Sequence, residues 1–498
     1  MFGRLLGNQY DAVVFDVGNT LVRQANPGTP ASDVRAEVLD GVREAIDSLR
    51  GHVRMGVVSN TTTMSEVVLR EHLRSIGLED AFEVVIATAD VGVHKPDPLP
   101  LVMATKRLGI GAAKALYVGD SEVDEIAAAR AGLAFCYTGP NLMNALERHL
   151  THSESAWQRA LMSPRRPQQG YAQQVQDRFE SLVKPSGSLG LLEHIVGRIA
   201  SIQHTSAPTA DPCGIIVFCA DHGIAVDDTV TPWPQEISAT MAETIAKGRA
   251  VSSSFARAAD VYLEVVDVGL ARKVEHAGVR DHAVRRGTFD MRAGIVMSHD
   301  DVVAALEVGA RSAERIVAGG SRLLCVGEVG MGNTTIAAAI ISKFTGLDPH
   351  VATGRGTGID DPTLVRKRAV VDRAAQSVAG CDDPLEIAAR IGGLEVVAMT
   401  GFLFAAARLG VPVLLDGVTT QAAACLAMAF DPEIKESFIA GHRSAEPASV
   451  AALAHLQLQP LLALDLRLGE GTGALLAVPL LRAGCATLHD VAQLSEVI

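Results

Sequence analysis

The chain is poor in aromatic residues. Phe, Trp and Tyr together make up 4% of its 498 residues, too few for the stacking platforms that hold single strands of nucleic acid. A basic excess is missing as well. The 44 Lys and Arg face 57 Asp and Glu, a formal net charge of −13, which argues against general attraction to a phosphate backbone. A local basic pocket for one small phosphate is compatible with that balance. Nor is there a long uncharged apolar run: the stretch 396–407 lies between Glu395 and Arg408, short of the ~18–20 residues a spanning helix needs. Residues 1–10 lack an apolar core before a small-residue cleavage site, so no secretory leader is expected. The seven cysteines are dispersed and never spaced as Cys-x-x-Cys. They read as reduced thiols of a cytoplasmic protein, not as a disulfide framework or a zinc site. With 48% hydrophobic and 20% charged residues, the composition is that of a globular interior and not of a disordered chain.

What is present divides in two. Apolar runs at 11–15, 54–59, 84–87 and 115–118 alternate with helical stretches at 37–49, 64–76 and 98–108. Strand and helix in alternation predict an α/β fold, a parallel sheet with helices on both faces, whose ligands collect at the carboxyl ends of the strands. The pattern weakens around 154–174, where Ser-Pro-Arg-Arg-Pro-Gln-Gln-Gly at 163–170 offers turn formers without periodicity. We therefore expect domains over 1–150 and 172–498 joined by a linker at 151–171. The second part carries long alanine-rich helices and Gly-rich loops, with no short repeat.

Four polar clusters stand at predicted strand ends of the first part: Asp16-Val17-Gly18-Asn19-Thr20, Ser59-Asn60, His94-Lys95-Pro96-Asp97 and Gly119-Asp120-Ser121-Glu122-Val123-Asp124. A carboxylate so placed can attack phosphorus and split one hard displacement into two. Asp16 with Asp120 or Asp124 offers oxygen ligands to a hard cation such as Mg2+. The Ser59 hydroxyl and Lys95 ammonium suit the oxygens of a transferring phosphoryl group. In order and spacing these clusters resemble the haloacid dehalogenase-like hydrolase superfamily, over residues 8–140. The resemblance implies a Rossmannoid domain with Asp16 as nucleophile and Ser59 and Lys95 as phosphate-binding residues. It also implies Mg2+ as this domain's cofactor, held by Asp16, the Gly18 carbonyl, Asp120 and Asp124. One position departs from the pattern: Gly18 stands where such phosphatases carry a second Asp, and glycine cannot protonate a leaving group. A general acid is worth about 10²–10⁴-fold, so a slow phosphatase, or another reaction, is expected. Between Thr20 and residue 37, and between Asn60 and Lys95, the chain has no room for a helical cap, so the site is expected to be capless and open.

In the second part, Gly327-Glu328-Val329-Gly330-Met331-Gly332-Asn333-Thr334-Thr335 follows the apolar run 323–326 and precedes a helical stretch at 336–343. Strand, glycine turn and helix N-terminus make a phosphate cradle. It is not a Walker loop, and the loops Gly354-Arg355-Gly356-Thr357-Gly358 and Gly469-Glu470-Gly471-Thr472-Gly473 lack the spacing of a dinucleotide fingerprint. Singly, each reads equally as a tight turn. The same region also holds Lys184-Pro185-Ser186-Gly187-Ser188-Leu189-Gly190, Ala220-Asp221-His222-Gly223, Pro234-Gln235-Glu236, Asp267-Val268-Gly269, Asp416-Gly417 and Gly441-His442-Arg443-Ser444-Ala445-Glu446. Taken together, these motifs closely resemble the nicotinate-nucleotide:dimethylbenzimidazole phosphoribosyltransferase family, over residues 172–498.

That resemblance implies an α/β domain with a parallel sheet and extra helices. The reaction it implies moves phosphoribosyl from nicotinate mononucleotide to 5,6-dimethylbenzimidazole without a cofactor, in a homodimer. It places the general base at Glu470 and a second acid at Glu328. Gln235 would line the base pocket, and the amides around Gly330 and Gly332 would bind the phosphate with Asn333, Lys367 and Ser444. Lys367, flanked by Arg366 and Arg368, also reads as a solvated helix charge. His222 reads as structural and Asp221 as a turn cap. Trp233 stands where the family has Tyr or a smaller aromatic, and Arg249 replaces a glycine. Fused in one chain, the two parts suggest that the first removes the phosphate from the product of the second. A non-catalytic scaffold or regulator, or a phosphatase for an unrelated metabolite, are the alternatives for the first part, and transfer to another base for the second.

Overall fold

Short β-branched runs buried on both faces give the chain two parallel sheets, each in its own compact unit: residues Met1–Glu154 and Ser155–Ile498. The computed structural model describes residues 6, 10–23, 37–138, 141–152, 155–162 and 165–497. The first cap position, at 24–36, and most of the segment read for a leader lie outside these.

The N-terminal unit holds β1 (Ala12–Phe15), β2 (Arg54–Ser59), β3 (Val84–Ala87), β4 (Ala115–Gly119) and β5 (Ala134–Tyr137). They are ordered β3-β2-β1-β4-β5, and every pairing is parallel. Val13 and Phe15 enter one core with Val57 and Val118, while Ala12 and Val14 enter the other with Val58 and Tyr117. This is the period of two that a doubly covered strand requires. The register sets Phe15 beside Val57 and beside Val118. Asp16, Ser59 and Asp120 follow within two residues, so they share the carboxyl edge of the three central strands. From Asn60 to Lys95 the chain forms the helix Glu66–Ser75, a turn of 3-10 helix, β3 and the short helix Thr88–Val91; no cap occurs among these described residues. Two expectations need correction. The helix read at 37–49 starts only at Val42, because Gly41 is left-handed at φ 75° and Val38 pairs with Val22 instead. The fifth strand, at the sheet edge, was not foreseen: it is buried only at alternate positions and lacks the β-branched run of β1 and β3.

The C-terminal unit holds β6 (Cys213–Ala220), β7 (Tyr262–Gly269), β8 (Val279–Asp281), β9 (Leu323–Val329), β10 (Val413–Leu415) and β11 (Phe438–Ala440). Their order is β11-β10-β9-β6-β7-β8, again all parallel. The chain builds outward from β6 to one side and then returns to lay β9 on the other. The carboxyl ends of β6 and β9 therefore flank a topological switch point, where open α/β sheets bind ligands. The uncharged run 396–407 falls inside the buried helix Leu394–Arg408, and no described helix is long and apolar enough to cross a membrane. This helix packs on His299–Ala318 at a distance only glycine permits. A Cβ on Gly309 would lie 1.7 Å from the Ala398 carbonyl oxygen, and one on Gly401 2.0 Å from that of Leu306.

The stretch 151–171 is not a plain linker. It contains the helix Ala156–Met162, whose Trp157 is 4% exposed and packs edge-on against Phe404 and Phe430 at 5.1 Å between centroids. The amides of Ala156 and Trp157 donate to the Glu307 carboxylate at 3.1 and 2.9 Å. A seven-residue helix carries too few turns to announce itself by periodicity, and a single aromatic anchor holds it. Replacing Trp157 by Ala should lower the stability of the C-terminal unit by about 3–5 kcal/mol in urea denaturation followed by circular dichroism. An unchanged midpoint would return this segment to the linker.

Candidate active sites

At the switch point the two sheet-end loops and the motif loops close around a cleft of about 320 Å3. Its walls include Glu328, Gly330, Gly332, Asn333, Lys367, Ser444 and Glu470. Residues 327–329, read as part of the loop, complete β9 beside β6, with Val217 opposite Gly327 and Phe218 opposite Glu328. Glycine is needed at 327 for a close approach: a Cβ there would lie 2.5 Å from the Gly471 nitrogen and 2.6 Å from the Glu470 carbonyl carbon. Glu470 is thereby seated over β9. Its backbone is left-handed at φ 59°, the kind of strain that functional sites retain.

The two acids have different surroundings. Burial pushes the Glu328 carboxyl up to about 8, and the charges of Glu395, Asp416 and Glu470 add to this against a hydrogen bond from the Asn333 amide. Burial also raises Glu470, while hydrogen bonds from Ser252, whose Oγ donates to Oε2 at 2.8 Å, oppose the rise and Asp416 reinforces it. Lys367 is buried and not a solvated helix charge. Its Nζ donates to Thr334 Oγ1 at 2.7 Å and to the Gly354 carbonyl at 3.2 Å, and burial lowers it to about 8 against the pull of Glu446.

The glycine turn is a less open cradle than its sequence suggests. The Met331 amide donates to Ser238 Oγ at 3.0 Å, that of Asn333 to the Gly330 carbonyl and that of Thr334 to its neighbour's side chain. The Gln235 side-chain amide donates to the His222 carbonyl at 2.9 Å, so it braces the turn after β6 between Trp233 and Ile237, which line the cleft. Trp233, 50% exposed, takes a place in the wall. His222 is buried with Nε2 3.0 Å from Glu395 Oε1, and Asp221 accepts from the Ala271 amide at 2.8 Å.

In the N-terminal unit the strand ends converge on Lys95. Its buried ammonium lies 2.6 Å from Asp16 Oδ1 and 2.8 Å from the Tyr117 hydroxyl, and it also donates to Asp124 Oδ1. Asp124 accepts from Tyr117 and Ser121 besides. Burial raises Asp16 to about 6; Lys95 opposes the rise and Asp124 adds to it. Burial also raises Asp124, but Lys95 and the surrounding donors outweigh it and hold the group below the usual range. Asp16, Asp120 and Asp124 each offer an oxygen, all within 4.8 Å of one another, a donor set that fits a hard cation. Ser59 is buried at the end of β2 and Gly18 half-buried after β1.

Residues 165–497 match the family model described as Phosphoribosyltransferase, about two thirds of the chain. The chain belongs to the phosphoribosyltransferase family. Residues 17–138 match a second model, Haloacid dehalogenase-like hydrolase. The phosphoribosyltransferase part is 44% identical over 329 residues to the nicotinate-nucleotide–dimethylbenzimidazole phosphoribosyltransferase of Salinispora tropica, covering 62% of this chain and 90% of that one. It is 41% identical over 317 residues to the enzyme of that name from Thermus thermophilus, covering 64% and 94%. The crystal structure of CobT from Thermus thermophilus superposes with a TM-score of 0.64 at 40% identity, covering 66% of this chain and 98% of that one.

Within this phosphoribosyltransferase, sequence reasoning left Asp416, His442, Ser252 and Glu395 without roles, and Tyr117 unremarked in the N-terminal unit. Asp416 and His442 lie inside motifs already singled out. Tyr117 is hidden in an apolar strand where only the facing direction of its side chain marks it.

The folded phosphoribosyltransferase unit holds a proton on Glu328 up to about pH 8, whereas an unfolded glutamate releases it near 4.5. Between those values the unfolded chain binds fewer protons, so this residue makes stability fall as pH rises. The Glu328→Gln variant should escape that loss. Its stability relative to the unaltered chain should climb by on the order of 3–5 kcal/mol between pH 5 and 8.5, read by urea denaturation across that range. A pH-independent difference would place Glu328 in an ordinary ionised state.

Proposed function

We propose that the C-terminal unit transfers phosphoribosyl from nicotinate mononucleotide to 5,6-dimethylbenzimidazole, releasing nicotinate and α-ribazole 5′-phosphate for the lower ligand of cobalamin. The observation that carries this reading is two buried acids in one cleft with unequal surroundings, beside a buried lysine. Pairs of carboxyls pushed apart by environment commonly divide acid and base roles. Glu470 accepts the benzimidazole N–H proton as the other ring nitrogen attacks the anomeric carbon, and its raised affinity for the proton suits that task. Glu328, protonated up to about pH 8, donates to an oxygen of the substrate. The leaving pyridinium nitrogen is already positive, so its departure neutralises charge and asks for no Lewis acid, and a cleft bordered by acids suits that cation. Lys367, Ser444, Asn333 and the amides at Gly330 and Gly332 hold the phosphate. Attack opposite the leaving group converts a β linkage into an α one. The Glu470→Gln variant should lose about 10²–10⁴-fold in kcat with little change in KM for the nucleotide, measured by release of nicotinate; a loss under tenfold would remove Glu470 as the base.

The reading extends to the N-terminal unit, which we assign the removal of the 5′-phosphate from that product. Asp16 attacks phosphorus to form an acyl phosphate as the P–O5′ bond breaks and the ribose 5′-alcohol leaves with a proton taken from solvent. Lys95 and Ser59 hold the phosphoryl oxygens, and water then cleaves the acyl phosphate to free phosphate and the Asp16 carboxylate. A magnesium ion on Asp16, Asp120, Asp124 and the Gly18 carbonyl would neutralise phosphoryl charge. With nicotinate mononucleotide, dimethylbenzimidazole and Mg2+, the full chain should yield dephosphorylated α-ribazole, and an Asp16→Asn chain the phosphorylated product, as read by mass spectrometry. Phosphorylated product from both chains would retain the transferase and discard the phosphatase role.

A further inference from the structure

The cleft contains a histidine that neither role above employs. His442 follows β11, is 3% exposed and lines the cleft beside Gly417, Ser444 and Glu470. Its ring fits a slot made by glycines. A Cβ on Gly473 would lie 1.9 Å from His442 Cδ2, and one on Gly417 would lie 3.4 Å from Nε2. Nε2 sits 3.3 Å from Asp416 Oδ1. That carboxylate cannot swing away, because it accepts from the amides of Gly473 at 2.7 Å, Ala474 at 3.2 Å and Gly471 at 3.2 Å. The other ring nitrogen, Nδ1, is buried and has no hydrogen-bond partner among the described residues. A buried polar atom left without a partner is destabilising, and such an exception calls for an explanation.

A carboxylate beside one nitrogen of a histidine fixes the proton there and leaves the other nitrogen as an acceptor. We propose that His442, held by Asp416, is a substrate-binding residue whose Nδ1 accepts a hydrogen bond from a ribose hydroxyl of the nucleotide. The donor follows from what the cleft must hold. The acceptor base has one N–H, already taken by Glu470, and the phosphate and nicotinate carboxylate are acceptors at neutral pH. The vicinal hydroxyls of the ribose are the donors left. Anchoring the ribose from the floor that also seats Glu470 would set the anomeric carbon against the attacking nitrogen. This inference rests on the phosphoribosyl-transfer reading of the same cleft.

The test compares nicotinate mononucleotide with its 2′-deoxy and 3′-deoxy analogues on the full chain and on His442→Ala. One of the two deoxy analogues should lose roughly 10- to 100-fold in kcat/KM on the unaltered chain, the equivalent of one buried hydrogen bond. His442→Ala should lose about as much on the ribonucleotide and little more on that analogue. His442→Asn, which keeps an acceptor near the position of Nδ1, should recover most of the loss; should the alanine variant fail to fold, the same comparison is read on His442→Asn and His442→Leu. Equal penalties from the substitution on ribose and on both deoxy nucleotides would overturn the proposal, as would an unaltered chain indifferent to both hydroxyls. Calorimetric binding of the three nucleotides supplies the same comparison without turnover. Failure of the transfer reading, an unaltered chain that binds but forms no product, is thus separate from failure of the role of His442.

Discussion

The Asp416 carboxylate is the fixed point of the phosphoribosyltransferase unit. It lies after β10 in the interior, 2% exposed, and a charge there is tolerable only if nearby donors replace water. The amides of Gly471, Gly473 and Ala474 do so. They belong to the first turn of the helix Thr472–Asp490, where unpaired N–H groups and the helix dipole favour a negative charge. The same bonds determine where Glu470 sits, one residue before that turn. Gly327 lets the loop lie directly on β9, and Asp416 ties its far end. The left-handed backbone at Glu470 is held from both sides. The anchor also acts at a distance, since its charge contributes to the raised proton affinity of both Glu328 and Glu470.

The N-terminal unit solves the same problem with the signs reversed. There the fixed point is the buried Lys95 ammonium, and its partners are Asp16, Asp124 and the Tyr117 hydroxyl. A lone ammonium without them would be costly to bury. Asp124 takes part in the capping box of the helix Glu122–Ala131 with Ser121, so its carboxylate is positioned by the local sequence as well as by Lys95. Asp16 and Lys95 come from loops after different strands, and only the parallel register makes them neighbours.

What the sequence discloses and what it withholds follow from this. Strand ends are legible because parallel sheets align them, so residues at the ends of apolar runs, such as Asp16 and Asp120, fall at one edge whatever lies between. Positions set by a side chain's direction are not legible. Lys367 is flanked by two arginines and looks solvated, yet the helix Asp361–Ser377 turns it inward to Thr334. Gln235 and Trp233, two residues apart, face different ways, the amide bracing His222 and the indole standing in the cleft wall. Ala156–Met162 shows the third kind of failure: its helix is held by Glu307, Phe404 and Phe430, all more than a hundred residues away in sequence.

Fusion bears most directly on the weakest part of the proposed phosphatase chemistry. Release of a primary ribose alcohol from phosphorus is assisted by a proton, and Gly18 has none to give. The assistance forgone is about 10²–10⁴-fold, which a freely diffusing substrate at micromolar concentration would feel in full. Joining acts on a different factor. One chain supplies a hydrolase-like unit for every phosphoribosyltransferase unit, so the proposed substrate is made in step with the proposed phosphatase without any change at phosphorus. The missing acid slows every phosphomonoester alike, so under the proposed role the chain's own product is favoured by supply. Selectivity would then come from what the phosphoribosyltransferase unit makes and not from the shape of the hydrolase-like site.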